Sequence, residues 1–206
     1  MNRKLAQTLS VVFHPLLVPS YLFYLILYVL PSSLVTFPLV SRWLVQLVVF
    51  FSTFLIPTLG TLALIKTGYV SSITTEERSE RALPLLFTLV CFAMTSYMFY
   101  QEKHFDRLFF LIMLVITAGV LFTYLISYFW KISAHGIGLG GALGLLVLLH
   151  TWLPADTSIY LVAGTVFICG TVLSARLALD AHTPAEVYAG FGLGLLLGGA
   201  SGVWLN

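Results

Sequence analysis

The sequence predicts an all-α fold, a polytopic transmembrane helix bundle of six to seven spans. Three observations lead there. Hydrophobic residues make up 59% of the chain and charged residues 9%, with mean hydropathy +1.00, too little polar surface to coat a water-soluble globule of 206 residues. The apolar residues gather in segments near the ~20 residues that a helix needs to cross hydrocarbon. No segment alternates polar and apolar residues over the length of a barrel strand, which leaves helices as the spanning element.

The predicted segments run 11–30, 43–65, 83–100, 108–129, 137–153, 158–175 and 187–205, a count of seven. The first carries His14, Pro15 and Pro19 near its start, and 137–153 is short. The basic start MNRKLAQTLSVVF runs into apolar sequence with no small-residue cleavage site, so it reads as a first membrane helix and not a removed leader. Connections are short and no repeat stands out, so residues 1–206 read as a single domain. Cys91 and Cys169 fall in mid-span as small hydrophobes. A net charge of +2 without a basic tract argues against nucleic acid as a partner and leaves the bilayer.

With seven spans, the loops holding Arg78 and Arg81, Lys131 to His135, and Arg176 to Glu186 emerge on one face. The other face receives Arg42, Glu102, Lys103, Asp106, Arg107 and Asp156, which read as interfacial anchors, with His104 and His150 beside them. Basic residues favour the first face as cytoplasmic, although the excess disappears once the candidate site residues are set aside. The expected location is the cell (inner) membrane, multi-pass.

The stretch SARLALDAHTPAEVYAG, residues 174–189, concentrates the ionisable groups. Arg176, His182 and Glu186 are spaced R-x5-H-x3-E. At i and i+4 on a helix, Glu186 can accept a hydrogen bond from one nitrogen of His182 and leave the other to act as base or nucleophile. Asp180 is a rival partner for His182 or for Arg176. Thr183-Pro184-Ala185-Glu186 also reads as a capping box with proline at the first helical position. Upstream, in Lys131-Ile132-Ser133-Ala134-His135-Gly136, Ser133 is a natural N-cap whose neighbouring N–H groups favour an anion. Glycines 136, 140, 144 and 190, 194, 198 have the spacing that lets membrane helices approach closely.

These motifs resemble those of the type 2 phosphatidic acid phosphatase superfamily, which includes the vanadium haloperoxidases. Its third motif, S-R-x5-H-x3-D, appears as Ala175-Arg176-x5-His182-x3-Glu186; its second, P-S-G-H, as Ile132-Ser133-Ala134-His135. Its first, K-x6-R-P, has only Arg81 in TTEERSERALP, with Thr74 and Ala82 at the lysine and proline positions, and two apolar segments separate it from the second. The resemblance implies a metal-independent lipid phosphate phosphatase without cofactor. It implies Arg176, Arg81, Arg78, Lys131 and Ser133 on the phosphate, His182 as nucleophile held by Glu186 or Asp180, and His135 as general acid.

Other readings stand beside it. TTEERSER also fits a solvated helix with Glu77 and Arg81 paired. His14, His135 and His182 share a face and form a candidate zinc set, though no H-E-x2-H pair is present. A relative that kept the fold and lost catalysis is the third. No aspartate-rich pair is present to hold Mg²⁺ for a prenyltransferase.

Overall fold

The computed structural model describes residues 1–31, 35–72, 78–152 and 156–202. Its helices are α1 (Arg3–Val12), α2 (Val18–Val29), α3 (Leu39–Lys66), α4 (Ala82–Gln101), α5 (Arg107–Ser127), α6 (Ala134–Trp152), α7 (Asp156–Ala178) and α8 (Pro184–Ala200). A 3₁₀ turn, Arg78–Arg81, leads into α4, and no strand occurs among the described residues. The protein is an all-α bundle, and α3 to α7 are long and apolar enough to cross a membrane by length and composition.

The expected first span, 11–30, is not one helix. Helix α1 ends at Val12, the chain turns through His14 and Pro15, and α2 restarts at Val18 with Pro19 in its first turn. Pro15 and Pro19 lack the N–H groups that a continuous helix would need there. What remains, Val18–Val29, is about 18 Å long at 1.5 Å per residue, short of a full span. Helix α1 instead packs on α7, with Ala6 and Ser10 buried. The segment expected to be short, 137–153, becomes a complete 19-residue helix, because Ser133 caps it four residues earlier.

Helix α3 changes register within the bundle. Residues Phe51–Leu55 form a π turn just before Pro57, which has no N–H to continue the regular ladder. The Thr53 hydroxyl there lies 2.8 Å from the Val49 carbonyl and 3.3 Å from that of Leu16, tying α3 to the turn that follows α1.

The pair α6 and α8 runs parallel and in close contact. A Cβ on Gly136 would stand 2.8 Å from the Val187 carbonyl oxygen, one on Gly144 2.6 Å from that of Leu195, and one on Gly190 2.7 Å from that of Ser133. Gly140, Gly194 and Gly198 meet the opposing backbone as closely. Both glycine rows are therefore packing devices that bring two helix backbones together. Because the pair is parallel, the N-termini of α6 and α8 lie side by side.

Two residues expected to be plain anchors are structural clamps. Arg42 is buried and donates from Nε to the Phe37 carbonyl (3.2 Å), from one Nη to Val35 (3.2 Å) and from the other to Leu27. Asp106 accepts from the N–H groups of Thr36 (3.3 Å) and Phe37 (2.9 Å) and from the Thr36 hydroxyl. Together they tie residues 35–37, just before α3, to α2 through Leu27 and to the start of α5. Above them Phe23, Phe99, Phe105 and Phe109 pack with ring centroids 5.0 to 6.0 Å apart. His150, also read as interfacial, links α6 to α7 by a 2.7 Å hydrogen bond between Nδ1 and Ser158 Oγ.

Candidate functional site

The site forms where the N-termini of α6 and α8 meet the C-terminus of α7. Helix α8 opens with the expected capping box. The Thr183 hydroxyl accepts the Glu186 N–H at 3.4 Å, and the Glu186 carboxylate accepts the Thr183 N–H at 3.0 Å. The same carboxylate oxygen lies 3.1 Å from His182 Nδ1, so capping and orienting His182 are one device. The Lys131 carbonyl is also 3.1 Å from Nδ1. Both neighbours of Nδ1 accept hydrogen bonds, so Nδ1 carries the proton and Nε2 of the neutral ring holds the lone pair.

Helix α7 ends in a Schellman motif. The Ala181 N–H donates to the Arg176 carbonyl (3.2 Å) and the Asp180 N–H to Leu177 (3.0 Å), with Asp180 left-handed at φ 54°. Asp180 is exposed and sits in the chain reversal, and of the two expected carboxylate partners of His182 it is Glu186 that bonds Nδ1. Arg176 lies in the last turn of α7, one reversal away from His182.

Ser133 caps α6, its hydroxyl accepting the Gly136 N–H at 3.2 Å, while its own N–H donates to the Glu186 carbonyl at 3.2 Å. Those two N–H groups are engaged within the protein, so Ser133 acts here as a helix cap that ties α6 to α8. Lys131 enters through its backbone carbonyl on His182, and its side chain is not on the cavity wall described below. Arg81, at the end of the 3₁₀ turn, is buried and donates from an Nη to the Ile132 carbonyl at 3.2 Å. It therefore joins the second and third motifs despite the two helices between. The Arg78 side chain, Thr74 and the Glu77–Arg81 pairing lie outside the described residues.

His135 is buried at the first turn of α6, and its Nε2 donates to the Ser10 carbonyl of α1 at 3.0 Å. Its ring is 6.0 Å, centroid to centroid, from that of His14. His14 Nδ1 accepts the Leu16 N–H at 3.3 Å, which puts the proton of a neutral ring on Nε2. Ser10 and the position of His14 against His135 were not readable in the sequence. The only signal was polar residues in a segment that otherwise looked like a span.

Arg81, Arg176, His182, His135, His14 and Ser10 all line one cavity of about 320 Å³. Burial first, then the Arg176 charge, lowers the His14 pKa to about 4. For His182, burial and then the Arg81 charge lower it to about 4, against the opposing pull of the Glu186 hydrogen bond. Burial also draws Arg81 below its ordinary value, and Glu186 opposes this. Both histidines are thus neutral near neutral pH, beside two guanidiniums.

No protein-family model matches the chain, and no curated protein or solved structure matches it. The site is read from its own geometry. The zinc alternative lacks an assembled ligand set: among the described residues, no three His, Cys, Asp or Glu side chains are grouped to hold a metal ion. What the arrangement offers is an oriented imidazole lone pair and two arginines on the wall of one cavity, a setting that favours an anion.

Proposed function

We propose that the protein is a phosphohydrolase of the cell membrane, a divergent relative of the type 2 phosphatidic acid phosphatases, that removes phosphate from a lipid phosphate. The observation that carries this reading is His182, with Nδ1–H held by Glu186 and Lys131, on the wall of a cavity that also holds Arg81 and Arg176. In this mechanism Nε2 of His182 attacks phosphorus as the bond to the lipid oxygen breaks, giving a phosphohistidine. Arg176 and Arg81 hold the equatorial oxygens, where charge spreads in the transition state. His135, in its imidazolium form, gives the departing alkoxide the proton on Nδ1, which yields the lipid alcohol and leaves the ring neutral. Its Nε2–H is held by Ser10, so Nδ1 is the nitrogen that exchanges protons. Water then attacks the phosphohistidine, its proton returns to His135, and inorganic phosphate leaves. The bilayer supplies the substrate, and neither a metal nor a nucleic acid has a place in the scheme.

The test is rapid quench of the purified protein with radiolabelled lipid phosphate. The expected result is acid-labile, base-stable phosphate on the wild type and none on His182→Ala. Turnover by the wild type without a labelled protein intermediate would exclude the nucleophilic role. Absence of any turnover across mixed lipid phosphates would favour a relative without catalysis.

A further inference from the structure

The cavity that holds the site continues far beyond the charged groups. From His135 and Arg81 at one end it reaches Leu22, Phe92, Val115 and Leu145, between α2, α4, α5 and α6. Ten residues separate His135 from Leu145 along α6, about 15 Å at 1.5 Å per residue, and Arg81 to Phe92 along α4 gives a similar depth. That is about half of the ~30 Å hydrocarbon thickness of a bilayer, the depth of one leaflet. Past the polar end the wall is apolar. Three threonines also lie on it, Thr61, Thr88 and Thr123; the Thr61 and Thr123 hydroxyls donate to the Pro57 and Gly119 carbonyls of their own helices, at 3.0 and 2.7 Å. At the deep end the lining reaches Phe92, which belongs to one buried cluster with Phe23, Phe99 and Phe109. A volume of about 320 Å³ is at the small end of ligand cavities, which run ~300–1,000 Å³.

We propose that this cavity is a chamber for a single unbranched hydrocarbon chain of the substrate, with the anionic head at Arg81 and Arg176 and the chain length limited near Phe92. The head-group assignment rests on the phosphatase reading. The chamber itself rests on the mostly apolar wall, the depth and the buried phenylalanines at its far end. It selects lipid phosphates carrying a chain about one leaflet long and disfavours long polyprenyl chains, whose methyl branches and length exceed it.

The test is competition by straight-chain alkyl phosphates of increasing length against a fluorescent alkyl phosphate, on the full chain in nanodiscs of zwitterionic lipid. Referred to free aqueous ligand, each methylene that enters the chamber tightens binding about fourfold, and the gain stops where the chain meets Phe92. Val115→Phe moves that break to shorter chains, and Phe92→Leu moves it to longer ones. Thermal melting checks that each variant is folded, and if Val115→Phe is not, the opposite shift in Phe92→Leu still decides. Partition into the bilayer alone would give a gain that continues with length and is identical in all variants, which overturns the proposal, as does a break that neither substitution moves. Chain-length-limited binding without phosphate release would sink the phosphatase reading and leave the chamber. Phosphate release indifferent to chain length would do the reverse.

Discussion

At the end of the bundle where α3 and α5 begin, a buried arginine and a half-buried aspartate sit in solid packing. Arg42 holds three backbone carbonyls, Asp106 holds two N–H groups and a hydroxyl, and the space around them is filled by phenylalanines. At the opposite end, where α6 and α8 begin, Arg81, His135 and His182 are just as deliberately tethered to carbonyls, yet they border an open cavity. Both ends satisfy the rule that charge within a membrane protein must find partners. The difference is space. A tethered charge in packed surroundings closes a turn, whereas a tethered imidazole with one nitrogen committed and a cavity beside it is arranged to meet a ligand.

Breaking the site end should therefore change chemistry and leave the fold, and His182 gives the largest effect. His182→Ala is expected to reduce phosphate release on the order of 10⁴-fold or more, for good and poor leaving groups alike, in a protein that remains folded with a stability loss of about 1 kcal/mol from the hydrogen bonds of Nδ1. Hydrolysis by this variant at the wild-type rate would assign the nucleophile elsewhere.

The next effect tests what brings the two motifs together. A side chain at Gly140 meets the Phe191 backbone, so Gly140→Val should force α6 and α8 apart and cost more than about 3 kcal/mol. Gly192 and Gly199 lie on the same helix α8 with nothing within 4 Å of a Cβ. Gly192→Ala should be neutral or stabilising by about 0.5–1 kcal/mol, since glycine is the poorer helix former. Denaturation of both variants in mixed micelles separates them; equal losses would mean that the glycine rows do not set the close approach.

How far the sequence foretold this contrast depended on the range of each interaction. The i, i+4 pair His182–Glu186, the capping box and the Ser133 cap are local, and spacing alone exposes them. The close approach of the glycine rows was legible because only backbone contact explains that spacing. The break at His14 and Pro15 was signalled by two prolines but masked by the apolar average of the window. Interactions across the chain left no local mark: His135 with Ser10 lies 125 residues away, and Asp106 with Thr36 lies 70 away. Anchors and clamps use the same residue types, so Arg42 and Asp106 could not be told from interfacial charges. Asp180 was a fair partner for His182 by proximity, and only its left-handed backbone shows that it serves the turn.

A smaller effect is expected at the packed end. Arg42→Met removes three hydrogen bonds to carbonyls and should lower stability by about 2 kcal/mol, given about 0.6 kcal/mol for each such bond within a membrane protein. Activity per folded molecule should be unchanged, because the charge acts only on the turn between α2 and α3. A variant that melts normally but has lost activity would show that the two ends are coupled.

The smallest effect is the pH response, and its sign follows from which state binds the proton. His14 and His182 have folded pKa values of about 4, against an ordinary value of 6.5, because burial and neighbouring arginines disfavour the imidazolium. Between those values the unfolded chain holds protons that the folded chain does not, so acid favours unfolding. The contribution of the neutral rings is complete above about pH 6.5 and falls as pH drops toward 4, by about 1 kcal/mol for each ring between pH 8 and pH 6. The same neutral state keeps the His182 lone pair available, so the acid limb of kcat/KM should lie near pH 4 and not near 6.5. The two measurements together sharpen the comparison. Melting temperature should decline on acidification in the wild type, and less in His14→Asn and His182→Asn, while Arg42→Met should retain the wild-type slope. An acid limb near 6.5 would mean that His182 titrates as an exposed imidazole, and the cavity end would then not be the dry, cationic setting that the nucleophile requires.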